Sequence, residues 1–131
     1  MTTGLDPISR SKTERGRLSH LKGAAAEELV LLTYEKRGAV LVEARWRGQG
    51  GEIDLIFLEQ GTYVFCEVKA SATVDEAVAR LRPAQMQRIH ASASEFLART
   101  PSGQLSDVRF DLAVVDGTGA VTILDNAFGH F

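Results

Sequence analysis

Residues 50–69 read GGEIDLIFLEQGTYVFCEVK, and how this stretch is parsed decides the fold. Two strand-like runs, Glu52–Leu58 and Thr62–Lys69, flank a short polar turn containing Gly61. In the tightest hairpin, with a two-residue turn at Gln60-Gly61, Leu58 pairs with Tyr63. Counting outward then sets Asp54 opposite Glu67 and Glu52 opposite Lys69. Directly opposed residues share a face of the sheet, and so do residues two apart. The register therefore predicts Glu52, Asp54, Glu67 and Lys69 on one face, with Ile53, Leu55, Phe57, Cys66 and Val68 on the other. Carboxylates held face to face destabilise a sheet, so something must offset them. A shared proton, a hard divalent cation or an ion pair with Lys69 would each do so. The metal option, with a lysine beside it, is the equipment of phosphodiester hydrolysis. The plainer option makes Glu67-Val68-Lys69 an exposed strand face of solvated neighbours.

The chain is 131 residues long, 44% hydrophobic and 24% charged, which suits one soluble globular domain with a sizeable core. No apolar run approaches the roughly 20 residues that span a membrane. The N-terminal stretch lacks the apolar centre of a secretory signal, so the expected compartment is the cytoplasm. Cys66, the single cysteine, forms neither an internal disulfide nor a cysteine zinc site. His20, His90 and His130 show no ligand spacing and read as surface or locally hydrogen-bonded residues. A net charge of −2 argues against a protein that coats nucleic acid. The distribution is uneven: residues 1–50 hold nine Lys/Arg against six acids, and the remainder six against eleven.

Along the chain, residues 1–17 are polar and aperiodic and read as a flexible tail, followed by a single domain over residues 18–131. Leu18–Lys36 is helical, with Leu18, Leu21, Ala25, Leu29 and Leu32 as its apolar positions, Ser19 as a candidate N-cap and Gly38 as its stop. Glu27 and Glu28 both border a wide apolar surface, so at least one is expected to be partly buried and in need of a partner. A strand over Ala39–Ala44 leads into a loop, Arg45–Gly51, where three glycines permit close backbone approach and Arg45, Trp46 and Arg47 are candidates to touch phosphates or a base. After Lys69, Ala70–Arg82 reads as a loop or broken helix. Pro83 opens a helix to about Arg99 whose buried stripe is Met86, Ile89, Ala93, Phe96 and Leu97. Val108–Val115 and Ala120–Leu124 are two further strands around an Asp116-Gly117 turn, and Asp111 in an apolar run is a candidate polar contact. The order is α-β-β-β-α-β-β, an α/β fold with helices covering both faces of a sheet.

Three segments, Lys22-Gly23-Ala24-Ala25-Ala26-Glu27, Gly51-Glu52-Ile53-Asp54-Leu55-Ile56 and Glu67-Val68-Lys69, resemble the YraN family, and Arg109-Phe110-Asp111 is similar to its late strand. The resemblance runs from about Lys22 to Val115. It implies a restriction-endonuclease-like fold with a central mixed sheet flanked by helices, similar to Hjc-type Holliday junction resolvases and to the PD-(D/E)xK nucleases. It implies Glu27, Asp54, Glu67 and Lys69 as the catalytic set, and so selects Glu27 over Glu28. Asp54 and Glu67 would hold Mg²⁺, with Mn²⁺ as the alternative ion. Lys69 would orient the attacking water or neutralise charge on phosphorus, and Glu27 would orient a water or help hold a second ion. Glu52 lies in the motif without an assigned role. The implied activity is a Mg²⁺-dependent endonuclease on structured or branched DNA, recognising shape and not sequence, and a two-fold junction would call for a homodimer. The alternative is a non-catalytic nucleic-acid-binding or protein-interaction module that retains the fold. The chain departs from the family at three positions: Ser71 stands where K-x-R has its arginine, Gln85 where a lysine is common, and Arg45 where an asparagine is usual. Arg88, one turn after Gln85, is retained and joins Arg45, Trp46 and Arg47 as an expected nucleic-acid contact.

Overall fold

A computed structural model describes residues 12–129, with side chains from Gly23 onward. The first helix, α1, spans Lys12–Lys36, so it begins ahead of Leu18 and Ser19 lies inside it, not at its N-cap. Residues 1–11 of the expected tail, and His130, lie outside the described residues. The helix stops at glycine as its sequence requires: Gly38 takes φ +91°, and the N–H groups of Gly38 and Ala39 return to the carbonyls of Glu35 and Tyr34.

Three strands follow, β1 (Val40–Gly48), β2 (Gly51–Glu59) and β3 (Thr62–Ala70). Next come α2 (Val74–Arg80), α3 (Pro83–Leu97), a 3₁₀ turn at Gly103–Leu105, β4 (Asp107–Val115) and β5 (Val121–Leu124). The strands lie in the order β1-β2-β3-β4-β5, antiparallel throughout except for β3 against β4. The parallel pair needs a long crossover, and α2 and α3 supply it. This is the expected mixed sheet flanked by helices, with one more helix than the sequence suggests. Thr73 makes the difference: its hydroxyl oxygen accepts the Glu76 N–H at 3.1 Å and starts α2 inside the segment read as loop or broken helix.

The helices cover opposite faces. On one, Ala26, Val30 and Tyr34 of α1 pack on Leu55, Phe57, Val64 and Cys66. On the other, Ile89, Ala93, Phe96 and Leu97 of α3, the expected stripe, pack on Trp46, Ile53, Ile56, Phe65 and Phe110. Of the apolar positions read for α1, those whose side chains are described are not the buried ones: Ala25 is exposed, and Leu29 and Leu32 are 37% and 46% exposed. The rotation of α1 is set instead by small Ala26 against the sheet and by the Tyr34 hydroxyl, which donates to buried Asp111 at 2.6 Å. No helix among the described residues is long and apolar enough to cross a membrane.

The central hairpin has the counted register, from Glu59–Thr62 and Leu58–Tyr63 out to Leu55–Cys66. Gln60 and Gly61 both take positive φ, +50° and +83°, as a two-residue type I′ turn demands. The ladder ends there, before Asp54 and Glu67 or Glu52 and Lys69 can pair. Beyond it the alternation of faces slips. Ile53 packs with Trp46 on the α3 side, whereas Leu55 and Phe57 lie on the α1 side, correcting the expectation that all three share a face. The slip falls at Asp54, beside Arg45, whose φ of +54° is left-handed for a non-glycine residue in a strand.

Candidate functional site

The site sits where β2 begins and β3 ends. Asp54 is turned across the broken ladder, and its Oδ2 accepts the Val68 N–H at 2.8 Å. Glu67, only 7% exposed, comes from the adjoining strand, and the two carboxyls act on each other's titration. Burial, then repulsion from Glu67, pushes the Asp54 carboxyl up to about 7. Burial raises Glu67 too, although Lys69 and the hydrogen bonds from Lys69, Asp54 and Gln85 pull it back. Both carboxyls are thus raised by their shared burial, Asp54 the more strongly opposed because it has no cation beside it. Lys69 Nζ lies 3.3 Å from Glu67 Oε2, and its side chain is 15% exposed. Of the options open in the sequence, the geometry holds the ion pair between Lys69 and Glu67.

Glu27 reaches the same region from α1. It is the half-buried member of the Glu27/Glu28 pair, and its charge contributes to raising Asp54. Its Oε1 accepts from Arg45 Nε at 3.0 Å, while Glu52 and Asp54 also act on that guanidinium. Gly23, Ala24, Glu27, Arg45 and Glu52 line a cleft of about 170 Å³. Glu52 is exposed on its wall. Thus Glu27, Asp54, Glu67 and Lys69 meet at one end of the sheet, although Glu27 arrives already paired.

The expected nucleic-acid contacts are divided. Arg45–Gly48 is strand, not loop. Trp46 is 9% exposed, its ring set edge-on to Phe96 at 5.5 Å between centroids, with Arg99 over its face. A side chain consumed by the core offers no face to a base, which corrects the expectation for Trp46. Arg47 and Arg88 are exposed. The glycines allow close approach as read, but toward α3: a Cβ on Gly50 would stand 2.9 Å from the Arg88 carbonyl oxygen. The hairpin tip is further held by the Gln49 N–H on Glu95 and by Ser92 donating to the Gly51 carbonyl, each at 2.8 Å. Ser71 faces α2, its hydroxyl 3.4 Å from Glu76 Oε1.

Two groups of residues are not evident from sequence. Gln85 touches both Glu67 and Lys69; the sequence marks it only as an absent lysine. Asp111, flagged as a polar contact, is the centre of a second buried cluster. It accepts from Tyr34, Arg109 and the Asn126 N–H, and Arg109 continues to Glu59 and Glu59 to Arg37. Burial, Cys66 and Asp111 raise the Tyr34 hydroxyl far above its ordinary range. Burial also lowers the Arg109 guanidinium, but its bonds to Asp111 and Glu59 outweigh that and leave it raised. His90 stacks on Phe110 with ring centroids 4.0 Å apart, and its Nε2 lies 2.8 Å from the Phe128 carbonyl oxygen, in keeping with a locally hydrogen-bonded role.

Comparison with known proteins adds a family. Residues 26–115 match the model of "Uncharacterised protein family UPF0102". A UPF0102 protein of Ruegeria sp. (strain TM1040) is 52% identical over 94% of this chain and 99% of its own length. The corresponding protein of Ruegeria pomeroyi is 52% identical over 92% and 98%, and that of Roseobacter denitrificans 46% identical over 95% and 96%.

Proposed function

The chain belongs to the YraN-like family UPF0102, and from that premise we propose that it is a Mg²⁺-dependent endonuclease hydrolysing phosphodiester bonds in structured or branched DNA. The observation that carries this reading is the buried pair Asp54 and Glu67, both raised by burial, with the Lys69 ammonium 3.3 Å from Glu67. A hydrolase of this restriction-endonuclease-like kind needs that trio of groups at one end of a mixed sheet.

The residues fit a hard divalent ion on chemical grounds. Two neighbouring carboxyls that burial raises above their ordinary range are an anionic site short of one cation. Among the described residues no three His, Cys, Asp or Glu side chains converge on one point. An ion here would therefore rely on Asp54, Glu67, a backbone carbonyl such as that of Val68, and water, which suits Mg²⁺ because it retains several waters; Mn²⁺ is the substitute. The chemistry such an ion supplies when bound is a more acidic water and stabilisation of charge developing on the phosphate. Lys69 Nζ, held by Glu67, donates to a phosphate oxygen or to the attacking water. Glu27 orients Arg45, and the Arg45 guanidinium, 42% exposed, meets the phosphate from the α1 side. Arg47 and Arg88 contact backbone phosphates away from the reacting bond. A two-fold junction would require two copies of the site, hence a homodimer.

The second reading, a non-catalytic module that binds nucleic acid or a protein partner, is favoured by the pairing of Glu27 with Arg45, which occupies the first-helix acid. Titration of Mg²⁺ and Mn²⁺ into the wild type, Asp54→Ala and Glu67→Ala, with and without a four-way DNA junction, separates the two. The nuclease reading expects ion binding that needs both carboxylates, strengthens with the junction and accompanies its cleavage. Absence of ion binding and of cleavage with the junction present would leave the second reading.

A further inference from the structure

Around the carboxylate pair, Gln85 has the most specific geometry. Its Nε2 donates to Glu67 Oε2 at 2.6 Å, and its Oε1 accepts from Lys69 Nζ at 3.2 Å. Lys69 reaches the same Glu67 oxygen at 3.3 Å. The three side chains close a ring in which each bond restricts the other two.

An amide suits this ring because it carries a donor and an acceptor on one planar group. A lysine at this position would offer donors alone and set a second ammonium against Lys69; a glutamate would offer acceptors alone. Gln85 stands in the first turn of α3 after Pro83, on a helix anchored by buried Ile89, Ala93 and Phe96, so its backbone is fixed by the core. Both donors fall on Glu67 Oε2. Oε1 receives no N–H from any described residue and is the oxygen left for Asp54 or a cation.

We propose that Gln85 is the positioning residue of this site: it directs Glu67 Oε1 away from the ring and holds the Lys69 ammonium at a fixed place beside it. A divalent cation would then meet a single Glu67 oxygen, with Lys69 set for the phosphate that cation carries. The cation belongs to the nuclease reading, on which this part rests; the ring and its hold on Lys69 do not depend on it.

The test compares wild type with Gln85→Met, which keeps length without hydrogen bonds, and with Gln85→Lys, which keeps a donor without an acceptor. Two quantities are read. One is the rate at which acetic anhydride acetylates Lys69 in the metal-free protein, followed by mass spectrometry against exposed Lys36; the other is Mn²⁺ affinity by calorimetry. With melting temperatures near wild type, both variants are expected to acetylate Lys69 several-fold faster. Both should also bind Mn²⁺ at least about tenfold more weakly, the usual loss when an outer partner of a ligand is removed. An unchanged Lys69 rate in both variants overturns the positioning role. Equal and measurable Mn²⁺ affinity in all three proteins overturns it too, while leaving the nuclease reading intact. If Lys69 is released in the variants but the wild type takes up no Mn²⁺, the positioning role stands and the nuclease reading falls.

Discussion

Two aspartates of one sheet, Asp54 on β2 and Asp111 on β4 with β3 between them, meet opposite fates. Asp111 is fully buried, yet its carboxylate is saturated. Oδ2 accepts from the Tyr34 hydroxyl at 2.6 Å and Arg109 Nη2 at 3.1 Å, and Oδ1 from Arg109 Nε at 2.9 Å and the Asn126 N–H at 2.8 Å. A carboxylate offers about four acceptor positions, and all of these are taken, with a guanidinium to balance the charge. Asp54 is better placed for solvent but worse supplied: it has one N–H from Val68 and an acid for its neighbour. Burial is thus not what distinguishes a site from a structural joint. The supply of donors is. Where donors match lone pairs the carboxylate ties elements together, and where they fall short it remains available for a ligand.

Breaking the saturated cluster carries the largest expected effect. Asp111→Ala strands the Arg109 guanidinium and the Tyr34 hydroxyl, and removal of one partner from a buried pair costs about 3–5 kcal/mol. Denaturant unfolding should show that loss with no change in ion binding at Asp54. Tyr34→Phe removes a single bond to a charged acceptor, worth about 1.5–3 kcal/mol, and the same assay should rank it below Asp111→Ala.

The undersupplied cluster should respond with the opposite sign. Asp54→Asn relieves opposed carboxyls and is expected to stabilise the metal-free protein at neutral pH by on the order of 1–2 kcal/mol, a part of what its shifted titration represents. The pH dependence follows from the same carboxyl. Folded Asp54 keeps its proton up to about 7, whereas its ordinary value is 3.8, so the folded state binds more protons between the two. Stability of the wild type should therefore fall as pH rises from about 4 to about 7, and Asp54→Asn should flatten that slope. A wild-type melting temperature that rises across this window would show that Asp54 is not held protonated.

The smallest expected effect is at Arg45. Its guanidinium is solvated, so Arg45→Ala should leave the melting temperature almost unchanged. It should nevertheless weaken binding of a four-way junction at low salt, read by fluorescence anisotropy. A large drop in stability instead would move the Glu27–Arg45 pair from the undersupplied cluster to the structural one.

Much of the architecture is written in local pattern. The turn at Gln60-Gly61, the register from Leu58–Tyr63 to Leu55–Cys66 and the stripe of α3 all depend on periodicity and on a few residues with special backbone freedom. Those are properties of neighbours in the chain, so they can be read there. The gathering of Asp54, Glu67 and Lys69 is legible for the same reason, because one hairpin carries all three. Tertiary packing decided the rest. The rotation of α1 depends on Asp111, far along the chain, and so turned Leu29 and Leu32 outward against their pattern. Trp46 was drawn into the core by α3, and the ladder broke at Asp54 where Ile53 crossed to the α3 face. Gln85, on α3, closed a ring with Glu67 and Lys69 of β3. In each case two distant segments compete for one side chain or one lone pair, and the outcome depends on burial and hydrogen-bond supply that exist only once the sheet and both helices are in place.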